Sequence, residues 1–250
     1  MTVAMMLENA TPNPAIGQPA ERSDAALPKR RVRSFVLRQG RLTAAQRQAL
    51  ETLWPSYGLP SDQPFDAGTV FGRTAPVVVE IGFGDGEVLA QMAATDPDTN
   101  YLGIEVHRPG IGHLLLRLQA LGLSNVRIYC ADAVDILTHN IANHSLDAIN
   151  LFFPDPWPKK RHHKRRLVTP DFIRLVAAKL KAGGTFHAAT DWEDYALQML
   201  KVLQGCQELE NIGAGTTPFA APGIHRPRTK FELRGERLGH SVWELVFRRR

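Results

Sequence analysis

PVVVEIGFGDGEVLAQMAAT, residues 76–95, sets the reading of the whole chain. Its first part, PVVVEIGFG (76–84), is a short apolar, β-branched run that ends in glycines, as a buried strand does. Glycines at 82, 84 and 86 let the backbone turn sharply with no Cβ in the way. GEVLAQMAAT then carries its apolar residues at helical spacing. A strand, a glycine turn and a helix in that order form the first unit of a parallel α/β sheet.

The alternation continues downstream. The pattern predicts strands over 100–106 (NYLGIEV), 125–132 (NVRIYCAD), 145–153 (SLDAINLFF) and 183–191 (GGTFHAATD). Helices are expected from Pro109 to Leu121, from Pro170 to about Lys181 behind a Thr169 cap, and from Trp192 to Leu203. HSVWELVFRRR closes the chain as a last strand. The fold class is therefore α/β, with a mostly parallel central sheet and helices on both faces. Ligands in such sheets bind outside the carboxyl ends of the strands. Gly82–Gly86, Glu105, Asp132, Asp155 and Asp191 all fall at or just beyond such ends.

Upstream the texture differs. Residues 1–28 are rich in Ala, Pro, Asn and Thr and read as a disordered leader. Residues 29–75 hold a basic arm, KRRVRSFVLRQGR (29–41), a helix from a Thr43 cap to about Leu53, and a loop from 58 to 75. Residues 76–250 form the α/β domain.

The composition, 44% hydrophobic and 22% charged over 250 residues, suffices for one such domain with a full core. Net charge is +5, and basic residues cluster at Lys29–Arg41, Lys159–Arg166 and Arg226–Arg237. A polyanion, nucleic acid above all, is the expected partner. No apolar run approaches the roughly 18 residues of a membrane span, and no signal pattern opens the chain, so a cytoplasmic protein is expected. Cys130 and Cys206 lack metal or redox spacing, and Cys130 reads as a buried thiol in a reducing compartment. No obligate protein partner is indicated.

The acids around the glycine turn choose the ligand. Glu80 precedes the turn and Asp85 lies within it. A pyrophosphate would be repelled there, and the G-x-G-x-x-G spacing of a nicotinamide dinucleotide site is not completed. A cationic, adenosine-containing ligand fits better, and S-adenosylmethionine carries both a sulfonium and an ammonium group. Glu105 is placed to accept hydrogen bonds from ribose hydroxyls, and Asp132 to meet the adenine amino group.

FFPDPWPKKRHHKRR (152–166) follows the fourth strand. Pro154, Pro156 and Pro158 fix φ and remove donors, holding Asp155 and Trp157 in a stiff extended turn. Trp157 is placed to stack on a base or to pack as a lid. Lys159, Lys160, Arg161, Lys164, Arg165 and Arg166 can then neutralise phosphates of a strand whose base enters the site. His162 and His163, flanked by cations, make a poor metal site, and no metal is expected. The N7 of guanine has a lone pair and no proton, so its methylation needs positioning and tolerance of positive charge rather than a base. Asp155 suits that need.

Taken together, RSFVLRQGRLT, EIGFGDG, YLGIEVHRPGIG, ADAVDIL, the PDPW-plus-basic stretch, ATDWEDYA and TKFELRGERLGHSVWELVF resemble the bacterial tRNA (guanine-N(7)-)-methyltransferase family, from about Arg33 to Arg248. The resemblance implies a Rossmann-like class I methyltransferase that moves a methyl from S-adenosylmethionine to guanine 46 in the variable loop of tRNA. It implies cofactor contacts at Glu80, Gly82, Gly84, Glu105, Asp132 and Asp155, with Asp155 also the active-site residue. It implies substrate contacts at Lys159, Asp191 and Thr229 to Glu232 (Thr229, Lys230, Phe231, Glu232), and RNA contacts along Arg161, His162, His163, Lys164, Arg165 and Arg166. The residues themselves leave alternatives open. Asp191 can cap the helix that follows it, and Lys230, Glu232 and Arg234 can form a loop salt bridge. Trp192, Tyr195 and Phe231 can be core or stacking platforms. A non-catalytic RNA-binding module would share most of these features.

Overall fold

Seven strands form one sheet in the order β3-β2-β1-β4-β5-β7-β6. The computed structural model describes residues 35, 40–221, 226–228, 232 and 241–250. All of these fall within one compact unit, 32–250. The leader, most of the basic arm, and Thr229, Lys230, Phe231 and Arg234 lie outside the described residues.

β1 (Val77–Ile81), β2 (Asn100–Glu105), β3 (Val126–Cys130), β4 (Leu146–Phe152) and β5 (Leu180–Thr190) run parallel, as the alternating pattern predicts. β7 (Trp243–Arg249) pairs antiparallel with both β5 and β6 (Leu209–Asn211). β1 pairs with β2 on one side and β4 on the other, so the strand order reverses at β1, and at its carboxyl end such sheets open a crevice.

Period-two alternation splits the sheet residues between two cores. Val77, Val79 and Ile81 point into a core with Tyr129, Phe172, Phe186 and Tyr195, beneath α6 (Ala133–His139), α7 (Pro170–Lys179) and α8 (Glu193–Gln204). The opposite face packs Leu89, Tyr101, Leu114 and Leu118 with α4 (Glu87–Thr95) and α5 (Arg108–Leu121). Each core residue is almost fully removed from water, at about 1.5–3 kcal/mol per large side chain.

α1 (Ala44–Thr52) begins where Thr43 predicts it. Thr43 Oγ1 accepts from Gln46 N, and the Gln46 side chain accepts from Thr43 N at 2.8 Å, a reciprocal cap. Gln46 is buried and donates to Pro109 O at 3.3 Å, which seats α1 on α5. A short α2 (Trp54–Tyr57) follows, and the Tyr57 hydroxyl donates to Leu123 O.

Several expectations need correction. The 58–75 segment is not all loop, since α3 (Ala67–Phe71) forms there behind an Asp66 cap. One five-residue turn has too few positions to show a period. α6 and β6 also went unread, being seven and three residues long. α7 stops at Lys179 rather than near Lys181, because the buried Lys179 ammonium is drawn to Ile141 O and Asn143 Oδ1 and Leu180 pairs with Leu146. Cys130 is exposed at the end of β3, not buried. Trp192, not Asp191, is the N-cap residue of α8, and Thr190 Oγ1 accepts from Trp192 N instead. Tyr195 is core, while Trp192 is 40% exposed. Among the described residues no helix is long and apolar enough to cross a membrane.

Candidate active site

The glycine turn leaves β1 with Gly82 at φ +70° and Gly84 at φ +60°, in the left-handed region that glycine enters without strain. A Cβ on Gly82 would meet no atom within 4 Å. Gly110, in the first turn of α5, shows the complementary need: a Cβ there would stand 2.0 Å from Gly84 O. The helix therefore closes on the turn only because Gly110 has no side chain.

A cavity of about 720 Å³ opens at the switch between β1 and β4. That is within the range of ligand pockets. Its walls include Gly82, Glu105, Asp132, Phe153, Asp155 and Trp157, from the ends of β1 to β4, and also Phe35 and His107. The Glu105 carboxylate is held by backbone donors. Oε1 accepts from Val106 N (2.7 Å) and His107 N (2.9 Å), and Oε2 accepts from Gly84 N (3.0 Å). A carboxylate offers about four lone-pair sites, so one on Oε2 is left for a ligand hydroxyl. Asp132 caps α6, Oδ1 accepting from Val134 N.

Asp155 is exposed at the cavity wall. The turn that carries it is not simply extended, as the prolines suggested. Phe153 (φ +51°) and Trp157 (φ +45°) both adopt the left-handed conformation. For side chains of that size this costs of order 1–3 kcal/mol each and persists only where surroundings enforce it.

Glu80, Gly84 and Asp191 do not line the cavity. Gly84 supports it through Glu105, and Asp191 is half-buried at the end of β5. Glu80, on β1, is 3% exposed, with Oε2 making no hydrogen bond among the described residues. Burial pushes its carboxyl up to about 8; Arg226 offsets part of this, while Glu105 and Asp85 add to it. Beside it runs a buried polar network unread in the sequence. Arg226 donates to Glu232 Oε2 (2.6 Å) and Glu244 Oε1 (3.0 Å), and Glu244 Oε2 meets His187 Nε2 at 2.6 Å. The Arg226 guanidinium also covers the Phe152 and Phe153 rings. Arg226 is thus no part of a solvent-facing basic patch. Glu232, buried against it, cannot reach a macromolecule without moving.

The basic run forms a 3-10 helix, Lys160–Arg165. Its three-residue period stacks i on i+3 and sorts the run into rows. Arg161 and Lys164 are exposed, like Lys159 and Lys160 before them. His162 and Arg165 turn onto Trp157, His162 edge-on at 5.9 Å and Arg165 over the ring at 5.0 Å. His163 and Arg166 turn to Asp194. Desolvation and the flanking cations hold the His162 imidazole below its usual pKa. Arg166 is 3% exposed and bonded internally, so it does not belong to the phosphate-facing set that its place in the run suggested. Sequence could not separate these rows, since a helical rather than extended run was not foreseen. Phe35 and His107 also line the cavity, in RSFVLRQGRLT and YLGIEVHRPGIG, where no sequence signal marks them as site residues.

A family model described as "Putative methyltransferase" matches residues 74–245. The chain is 57% identical to a tRNA (guanine-N(7)-)-methyltransferase of Alkalilimnicola ehrlichii, over 92% of this chain and 97% of that one. It is 58% identical to a protein of the same name from Methylococcus capsulatus, over 89% and 96%. Among solved structures it is similar in fold to the 16S rRNA methyltransferase KamB, with TM-score 0.55 and 16% identity over 75% of this chain and 95% of that chain. TrmN from Thermus thermophilus gives TM-score 0.50 and 17% identity, over 82% and 48%.

Proposed function

The chain belongs to the tRNA (guanine-N(7)-)-methyltransferase family, and from that premise we propose that it transfers a methyl group from S-adenosylmethionine to N7 of guanine 46 in the variable loop of tRNA. The observation that carries this reading is the position of Asp155. It stands in the wall of a cavity lined by Glu105 and Asp132, five residues before a basic helix begins at Lys160.

The residues fit the donor. Gly82 leaves open space where a side chain would intrude, Glu105 keeps a lone pair for a ribose hydroxyl, and Asp132 lines the same cavity. Glu80, buried and with its carboxyl pushed up to about 8, is held protonated at neutral pH and can donate a hydrogen bond rather than supply negative charge. The donor, when bound, supplies an electrophilic methyl on a positively charged sulfur.

The chain's own residues do the rest. Lys159, Lys160, Arg161 and Lys164 hold backbone phosphates and so bring one nucleotide to the cavity mouth. The N7 lone pair needs no deprotonation, so the protein has to aim it and accept charge on the purine. Asp155 does both, accepting from the base's N–H groups and facing the positive charge that methylation leaves on the ring. The turn that carries that carboxylate is tied to β5 where it leaves β4, Phe153 N donating to Ala189 O at 2.8 Å.

Labelled S-adenosylmethionine incubated with unmodified tRNA, followed by nucleoside analysis, tests this. The label should appear as 7-methylguanosine. Donor binding with no transfer to tRNA would leave only an RNA-binding role, and label on another nucleoside would reject the assignment.

A further inference from the structure

Arg166 sits in a run of cations yet is withdrawn from solvent, its side chain 1% exposed. Its donors are directed inward. Nε donates to Pro156 O (2.8 Å), one terminal nitrogen donates to Gln198 Oε1 (2.6 Å) and the other to Asp194 Oδ2 (2.6 Å). The guanidinium plane also lies over the Tyr195 ring, at 4.8 Å. Asp194, Tyr195 and Gln198 all belong to α8.

The Pro156 carbonyl follows Asp155 by one residue. Prolines 154, 156 and 158 carry no N–H, so this turn has few backbone donors with which to anchor itself. Phe153 N donates to Ala189 O (2.8 Å) and fixes the turn where it leaves β4. Arg166 grips it beyond Asp155, at Pro156. Asp155 thus lies between two tethers, one to β5 and one through Arg166 to α8, across a backbone strained at Phe153 and Trp157.

We propose that Arg166 is a positioning residue for the methyl transfer, clamping the Asp155 turn to the first turns of α8 rather than contacting RNA. This rests on the function proposed above and adds a division of labour within the basic run. Exposed cations hold the phosphates, while the buried one sets the geometry of the carboxylate. The planar fork matters as well as the charge, because a lysine cannot donate in three directions at once across that span.

The test compares full-length wild type, Arg166→Lys and Asp194→Asn with S-adenosylmethionine and unmodified tRNA. The readouts are single-turnover rate, tRNA affinity as a function of salt, donor affinity by calorimetry, and Tm. Arg166→Lys should lower the rate about 10- to 100-fold at a temperature well below its Tm, since small misplacements at a reacting centre have effects of that size. Its donor affinity, tRNA affinity and salt slope should stay within about twofold of wild type. Asp194 is exposed, so Asp194→Asn should fold normally and lower the rate less, and the two changes together should cost less than their product. The proposal is overturned by a wild-type rate in Arg166→Lys, by a salt slope reduced by about one with the rate unchanged, or by a drop in Tm alone. If Arg166→Lys does not fold, an unaltered rate in Asp194→Asn overturns it. A wild-type enzyme that makes no 7-methylguanosine would instead reject the function itself.

Discussion

Asp155 and Glu80 are both acids at the carboxyl edge of the sheet, and their surroundings give them opposite work. Asp155 is exposed and free to face an incoming base. Asp155→Asn should keep the fold, because substitutions at exposed positions rarely shift stability by more than about 0.5 kcal/mol. It should lower the transfer rate by about 100-fold or more, the usual effect of removing one electrostatic partner; a near-normal rate would take Asp155 out of the chemistry. Glu80 is shut in, with its carboxyl pushed from the ordinary 4.5 up to about 8. Below about 4.5 the folded and unfolded chains both hold that proton. Above it the unfolded chain ionises first, so the folded state loses stability as pH rises, until about 8, where both are ionised. Glu80→Gln removes this dependence. Its Tm should therefore gain several degrees on wild type between about pH 5 and pH 8, and a constant difference across that range would contradict the protonated, buried state.

At the level of elements, the 3-10 helix redraws what the sequence implied about the basic run. Six cations in eight positions read as one electrostatic face, but the threefold repeat leaves Arg161 and Lys164 outward, joined by the exposed Lys159 and Lys160. Arg165 is spent on Trp157 and Arg166 on Pro156 and α8. Changing Lys160, Arg161 and Lys164 together to glutamine should weaken tRNA binding and lower its salt slope by about two to three units. Donor affinity should stay unchanged, and an unaltered slope would place the RNA elsewhere. The regular elements were legible because their periods are strong. β1 to β5, α4, α5 and α8 sit within a few residues of where alternation and caps put them. The 3-10 helix, α3, α6 and β6 were not legible, because three to seven residues give a period too little length. The end of α7 was missed for a different reason, a tertiary pull on Lys179 that no local pattern carries.

Across the whole molecule, the strand order 3-2-1-4-5-7-6 brings the ends of β1, β2, β3 and β4 to one cavity, and this much follows from alternating strands and helices. Glu105, Asp132 and Asp155, far apart in sequence, become neighbours through it, as strand-end acids in a parallel sheet must. The Arg226–Glu232–Glu244–His187 network was invisible beforehand, since it joins segments related only through the antiparallel return of β7. The same sequence rule that found the cavity thus could not find what lies under it. If this cavity and the exposed basic ridge beside it act together on one nucleotide of tRNA, as proposed, methylation is confined to a single position. Mapping the modified position after a single turnover, by chemical cleavage of the tRNA chain at 7-methylguanosine, tests it most directly. One cleavage is expected, at guanine 46 in the variable loop, and its loss in Asp155→Asn; cleavage at other guanines, or an equal yield from the variant, would contradict this joint action.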